Sequence, residues 1–147
     1  MNGECLCGSV RFRIQGSLPN LYQCHCSLCR KATGAAANAA TLVPLEQFTW
    51  LAGEALIRSY QKPSGFRSDF CGQCGSPVPN TLRDTPLVWV PAGLLDENAN
   101  TARVAVHLHQ ASAAPWELPL PQCSALSGGP DSLAQLQQLL QSRDHPG

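Results

Sequence analysis

The chain has 147 residues, 44% of them hydrophobic, enough for one domain with its own core and too many for wholesale disorder. Charged residues make up only 14%, and Lys+Arg and Asp+Glu both number 10, for a formal net charge of zero. That balance excludes a broad basic surface, and with it nucleic acid as the main partner, while it favours self-association into a homo-oligomer.

The opening residues Met1 to Cys5 carry neither the cationic nor the apolar region of a signal peptide. No window approaches the run of about 18 apolar residues that a membrane span needs. A cytoplasmic location without a membrane partner is therefore expected. In a reducing compartment the eight cysteines read as metal ligands before disulfides.

In chain order, Cys5 and Cys7 come first, and on an extended chain two residues that far apart send their thiols to one side. Val10, Phe12 and Ile14 alternate with Ser9, Arg11 and Arg13, the pattern of a half-buried strand. Residues 16–20 read as a turn. A short strand over 21–24 enters Cys24-His25-Cys26-Ser27-Leu28-Cys29-Arg30-Lys31-Ala32-Thr33-Gly34. Residues 28–33 suit one or two helical turns, with Ser27 as N-cap and Gly34 as terminator. The run 35–43 suits a helix by propensity and a close-packed strand by position.

Residues 48–51 and 56–60 read as short strands around a turn at 52–54, and 66–70 leads into Cys71-Gly72-Gln73-Cys74-Gly75. Pro77 and Pro79 break regular structure beyond that turn. Strands are expected at 87–90 and 104–108, with a turn at 96–98 between them. On the second strand His107 takes the exposed face. A proline-rich stretch over 113–121 should place Trp116 on the core. The lone Cys123 reads as a small buried hydrophobe. A helix over about 131–142 closes the chain, capped by Asp131 or Ser132, with Leu133, Leu136 and Leu140 on one face. The fold class is mainly β, many short strands plus a C-terminal helix, in one domain over 1–147.

Seven cysteines divide by spacing. Cys71-X-X-Cys74 followed by glycine has the shape of a zinc knuckle and supplies half a tetrahedral site. Cys5-X-Cys7 is the other isolated pair, and together they make a closed four-thiolate site whose role is structural. Cys24, Cys26 and Cys29 remain, three ligands with the fourth position left for water or substrate, the arrangement of a catalytic zinc. Two zinc ions per chain are expected. Arg30 and Lys31 would offset the charge of three thiolates, or simply be solvated cations. His25, between two ligands, reads as a surface or supporting group more than as a ligand. A redox dithiol lacks its βαβ context, the spacings match no common ferredoxin run, and haem attachment needs a histidine where Arg30 and Gly75 stand.

The order Cys-X-Cys-Gly-X-Val-Arg-Phe, then Cys-His-Cys-Ser-X-Cys-Arg-Lys-X-Thr-Gly, then Phe-Cys-X-X-Cys-Gly-Ser resembles the glutathione-dependent formaldehyde-activating family, which includes the centromere protein V domain. Gly93-Leu-Leu-Asp96 and the segment from His107 to Ala-Pro115-Trp116 fit the same pattern, so the likeness covers about residues 3–117. It implies a zinc-bound β-tent of short antiparallel strands. It also implies a structural ion on Cys5, Cys7, Cys71 and Cys74, and a catalytic one on Cys24, Cys26 and Cys29. The implied activity is that of a carbon–sulfur lyase joining glutathione, or a similar small thiol, to formaldehyde to give S-hydroxymethylglutathione. Residues 35–40, Ala-Ala-Ala-Asn-Ala-Ala, are smaller than the aromatic-bearing segment of other members. The competing expectation is a non-catalytic zinc module that binds a thiol ligand or a protein partner.

Overall fold

A computed structural model describes residues 1–96, 102–117 and 124–141. The fold is mainly β, as the succession of short alternating runs predicts. It divides into two compact units, each built from two stretches of chain: 1–18 with 42–101, and 19–41 with 102–147. Among the described residues no helix is long and apolar enough to cross a membrane.

In the first unit, β1 (Asn2–Glu4), β2 (Arg11–Ile14) and β5 (Phe48–Ala52) form an antiparallel sheet in the order β1-β2-β5. Alternation along β2 sorts its side chains as expected: Phe12 and Ile14 are buried and Arg11 and Arg13 are exposed. They pack with Val43, Val88 and Val90, and the Phe12 and Phe48 rings stack at 5.4 Å. Val88 and Val90 belong to β9 (Leu87–Pro91), which pairs antiparallel with β8 (Asn80–Thr81). β6 (Ile57–Gln61) and β7 (Arg67–Cys71) form a separate hairpin. Hence β5 and β6, adjacent in sequence, do not pair with each other; β5 joins β2 and β6 joins β7. Inside the hairpin the buried Asp69 accepts two hydrogen bonds from Arg67, at 2.8 and 2.7 Å, and one from Ser59 at 2.6 Å.

Between β5 and β6 the chain passes Gly53 at φ 78°, where a Cβ would stand 2.1 Å from the carbonyl oxygen of Ser9. Both obstacles, a left-handed backbone and a backbone neighbour that cannot rotate aside, act together. Gly53→Ala is expected to cost about 3 kcal/mol, read as a lowered denaturation midpoint at constant zinc. A loss below about 1 kcal/mol would show that this turn yields more easily than its geometry implies.

In the second unit, β3 (Leu21–Cys24) lies between β10 (Val104–Leu108) and the first residues of β4 (Asn38–Pro44). The ambiguous alanine run is therefore strand where it is regular, because Ala39 and Ala40 sit opposite Gln23 and Tyr22 in an antiparallel ladder. Tertiary pairing overrides the helix propensity of alanine. β10 departs from the antiparallel rule: it runs parallel to β3 and to β11 (Ser124–Ala125). The C-terminal helix α2 (Leu133–Gln141) is capped by Ser132, whose Oγ accepts from the Gln135 amide at 3.1 Å. Leu136 and Leu140 are buried, while Leu133, in the first turn, is 37% exposed.

Trp116 also corrects its expectation, standing 69% exposed on a turn. Cys123, the end of the predicted helix at 142 and the later part of the 96–98 turn lie outside the described residues.

Candidate metal centres

The two cysteine sets occupy separate units. In the first, Cys5 and Cys7 lie on a tight turn, closed by the Gly8 amide donating to the Cys5 carbonyl at 2.9 Å, and not on the extended chain expected. The turn still brings their sulfurs together, 3.6 Å apart. Cys71 ends β7, and the turn after it closes with the Gly75 amide on the Cys71 carbonyl at 2.8 Å. Cys7 and Cys71 Sγ are 3.9 Å apart, and all four sulfurs lie within 4.8 Å of one another. Zinc–sulfur bonds of about 2.3 Å at tetrahedral angles put sulfurs about 3.8 Å apart. This donor set fits such an ion.

Their surroundings differ sharply. Cys5 is buried and accepts the Val10 amide at 3.3 Å, and burial pushes its thiol up to about 11. The Ser76 hydroxyl, 3.4 Å away, brings Cys74 down to about 5, while the same oxygen accepts the Leu6 amide at 3.0 Å. Ser76 thus ties the Cys5–Cys7 turn to the Cys71–Cys74 turn. With protons alone Cys5 and Cys74 titrate far apart; a bound divalent cation is what would hold all four sulfurs as thiolates.

In the second unit, β3 ends at Cys24 and helix α1 (Ser27–Thr33) begins three residues later. The helix N-cap is Cys26, not Ser27: its backbone is extended and its sulfur accepts the Cys29 amide at 3.3 Å. Sulfur replaces the expected hydroxyl because Cys26 is the residue at the strand-to-helix bend. Gly34 closes the helix in the left-handed conformation, as expected. The sulfurs of Cys24, Cys26 and Cys29 all fall within 4.8 Å of one another. Cys24 is buried, and Cys26 and Cys29 are partly so. The hydrogen bond between Cys29 and Cys24 lowers Cys24 to about 5 and pushes Cys29 far up, so these sulfurs compete for a shared proton. A thiophilic cation would relieve that competition, and three converging sulfurs leave a tetrahedral ion one position short.

His25 is fully buried, which removes the surface alternative. Its Nδ1 lies 2.9 Å from Glu117 Oε2 and its Nε2 2.8 Å from His107 Nδ1. His107, expected on an exposed face, is 3% exposed, and burial pushes it below the ordinary histidine value. Val106, His107 and Leu108 are buried in succession, so both faces of β10 are covered there. Glu117 went unnoticed in the sequence. The uncharged run from 104 to 108, lacking a polar face, was the available sign that both sides of β10 are covered. Arg30 and Lys31 lie in the last turn of α1, and Arg30 Nε donates to the His25 carbonyl at 3.3 Å.

A protein-family model described as "Glutathione-dependent formaldehyde-activating enzyme" matches residues 1–112. A protein of Halomonas elongata, named "Putative glutathione-dependent formaldehyde-activating enzyme", is 33% identical over 82 residues, which cover 52% of this chain and 52% of that protein. The matched stretch thus spans about half the length of this relative. Among solved structures, a crystal structure of a Rhodobacter sphaeroides protein aligns over 71% of this chain and 100% of its own, at 23% identity and a TM-score of 0.55. At that identity the likeness concerns the fold.

Proposed function

The chain belongs to the glutathione-dependent formaldehyde-activating enzyme family, and from that premise we propose that it is a zinc-dependent carbon–sulfur lyase of the S-hydroxymethylglutathione synthase type. The observation that carries the reading is the convergence of three sulfurs, Cys24, Cys26 and Cys29, in one unit and of four others in the other unit. Cys5, Cys7, Cys71 and Cys74 would hold a structural zinc. Cys24, Cys26 and Cys29 would hold the catalytic one. Both units would serve as one zinc-binding domain, in a reducing cytoplasm that keeps its thiols free.

Cys24, Cys26 and Cys29 would hold a zinc whose Lewis acidity would favour the thiolate form of a thiol substrate at neutral pH. The substrate sulfur then forms a bond to the aldehyde carbon, the carbonyl electron pair moves to oxygen, and that oxygen takes up a proton. Thiol and aldehyde combine atom for atom into the hemithioacetal, and the reverse reaction releases them. Arg30, one helical turn beyond Cys26 and bonded through Nε to the His25 carbonyl, brings positive charge to the site and would suit a carboxylate of a glutathione-like thiol.

The test is formation of the hemithioacetal from glutathione and formaldehyde above its spontaneous rate, together with a zinc count. Two ions per chain are expected, one tight and one removed by mild chelation, with activity following the second. A chain that holds zinc yet accelerates no thiol–aldehyde pair would be a binding module for a thiol or protein ligand instead.

A further inference from the structure

A single residue separates Cys24 from Cys26, and each of its polar atoms is held. The His25 amide donates to the Leu108 carbonyl at 2.9 Å, and its own carbonyl accepts from Arg30 at 3.3 Å. The ring is held on one side by Glu117 and on the other by His107, at 2.9 and 2.8 Å. The amide bond merely prolongs the β3–β10 ladder, which pairs Leu108 with Cys24. The two ring contacts are additional to it.

A carboxylate only accepts, so His25 Nδ1 carries the hydrogen of the Glu117 contact, and one further hydrogen lies between His25 Nε2 and His107 Nδ1. The imidazole cannot turn without breaking two hydrogen bonds, one buried and one partly buried. Glu117 itself comes from an irregular segment that belongs to no strand, and its side chain is only 12% exposed. An apolar side chain would fill that volume equally well; a carboxylate–imidazole–imidazole chain sets direction as well.

We propose that Glu117 and His107 are positioning residues for the three-cysteine centre: by fixing His25 they fix the two peptide units that carry Cys24 and Cys26, so that the three sulfurs converge. This rests on the reading of that triplet as a metal centre. It assigns a role to a buried acid far along the chain that touches no sulfur.

The full chain can test it with zinc left in the four-cysteine centre and the weaker ion removed by mild chelation. Cobalt(II) is then titrated in, and the thiolate-to-cobalt charge-transfer band and the visible ligand-field bands are read. Glu117→Ala is expected to weaken cobalt binding about tenfold or more and to shift the ligand-field bands. Glu117→Gln, whose amide oxygen still accepts from Nδ1, should remain within about threefold of the parent chain. Retention of zinc by the four-cysteine centre under a stronger chelator should be unchanged in both. Should Glu117→Ala fail to fold, His107→Asn and His107→Leu carry the same comparison, because the asparagine amide can donate to or accept from His25 Nε2 and leucine can do neither. Unchanged cobalt affinity and spectrum in the alanine or leucine variant overturn the proposal. Equal weakening of both centres overturns it too, since that marks a general packing role. A parent chain that takes up no cobalt at the triplet sinks the metal reading itself, a result distinguishable from both.

Discussion

Cys71→Ser is expected to yield a chain that retains at most one zinc ion and whose first unit no longer folds cooperatively at ordinary temperature. Cys71 is fully buried and packs with Cys5, Val10 and Val78, so its sulfur serves the proposed centre and the core at once. A structural zinc contributes on the order of 10–16 kcal/mol of apparent binding free energy. A whole domain is commonly stable by only about 5–15 kcal/mol. Losing one of four thiolates therefore removes more than the unit can spare. Metal analysis and thermal melting followed by circular dichroism check this. A Cys71→Ser chain with two ions and a melting temperature within a few degrees of the parent would refute the four-cysteine assignment.

Cys26→Ser should do the opposite: leave the fold and abolish the chemistry. Cys26 is only partly buried, and its sulfur caps α1 by accepting the Cys29 amide. Serine is among the best N-caps, so the hydroxyl takes over that bond and the helix persists. The thiolate ligand is lost. With it should go roughly a thousandfold of kcat/KM for hemithioacetal formation, equivalent to about 4 kcal/mol of transition-state stabilisation. One zinc ion should leave with the activity, while the melting curve stays near that of the parent chain. Activity within tenfold of the parent, with two ions still bound, would remove Cys26 from the site.

These two substitutions also mark how much the sequence makes legible. The division of seven cysteines into four and three follows from spacing alone, because a tetrahedral ion counts to four and only one combination of pairs completes it. The β2 alternation and the Gly34 helix end are likewise local signals with one physical reading. What escaped was non-local. The Cys5–Cys7 turn depends on a chain reversal, so an extended reading put the right sulfurs together for the wrong reason. The burial of His107 goes with its contact to His25, 82 positions earlier. Nothing near residue 117 announces that its carboxylate meets an imidazole 92 positions earlier. The exposure of Trp116 belongs to the same class, since an aromatic in a proline-rich stretch is placed by whatever the chain happens to cover.

Those long separations set an order of events during synthesis. Cys24, Cys26 and Cys29 lie within six residues and emerge together, whereas His107 and Glu117 come after His25 by 82 and 92 residues. At roughly 5–20 residues per second, the interval is on the order of ten seconds. Closing the parallel β3–β10 pair must wait for it, and such non-local pairing is intrinsically slow. Through that interval the triplet is a short, local thiol cluster without its buried brace. A metal that arrives then meets a pliable loop, and one that arrives afterwards meets a finished one. An ion held by the triplet would thus be decided partly by which cation the nascent chain encounters first, and its later exchange would be governed by how often the brace opens.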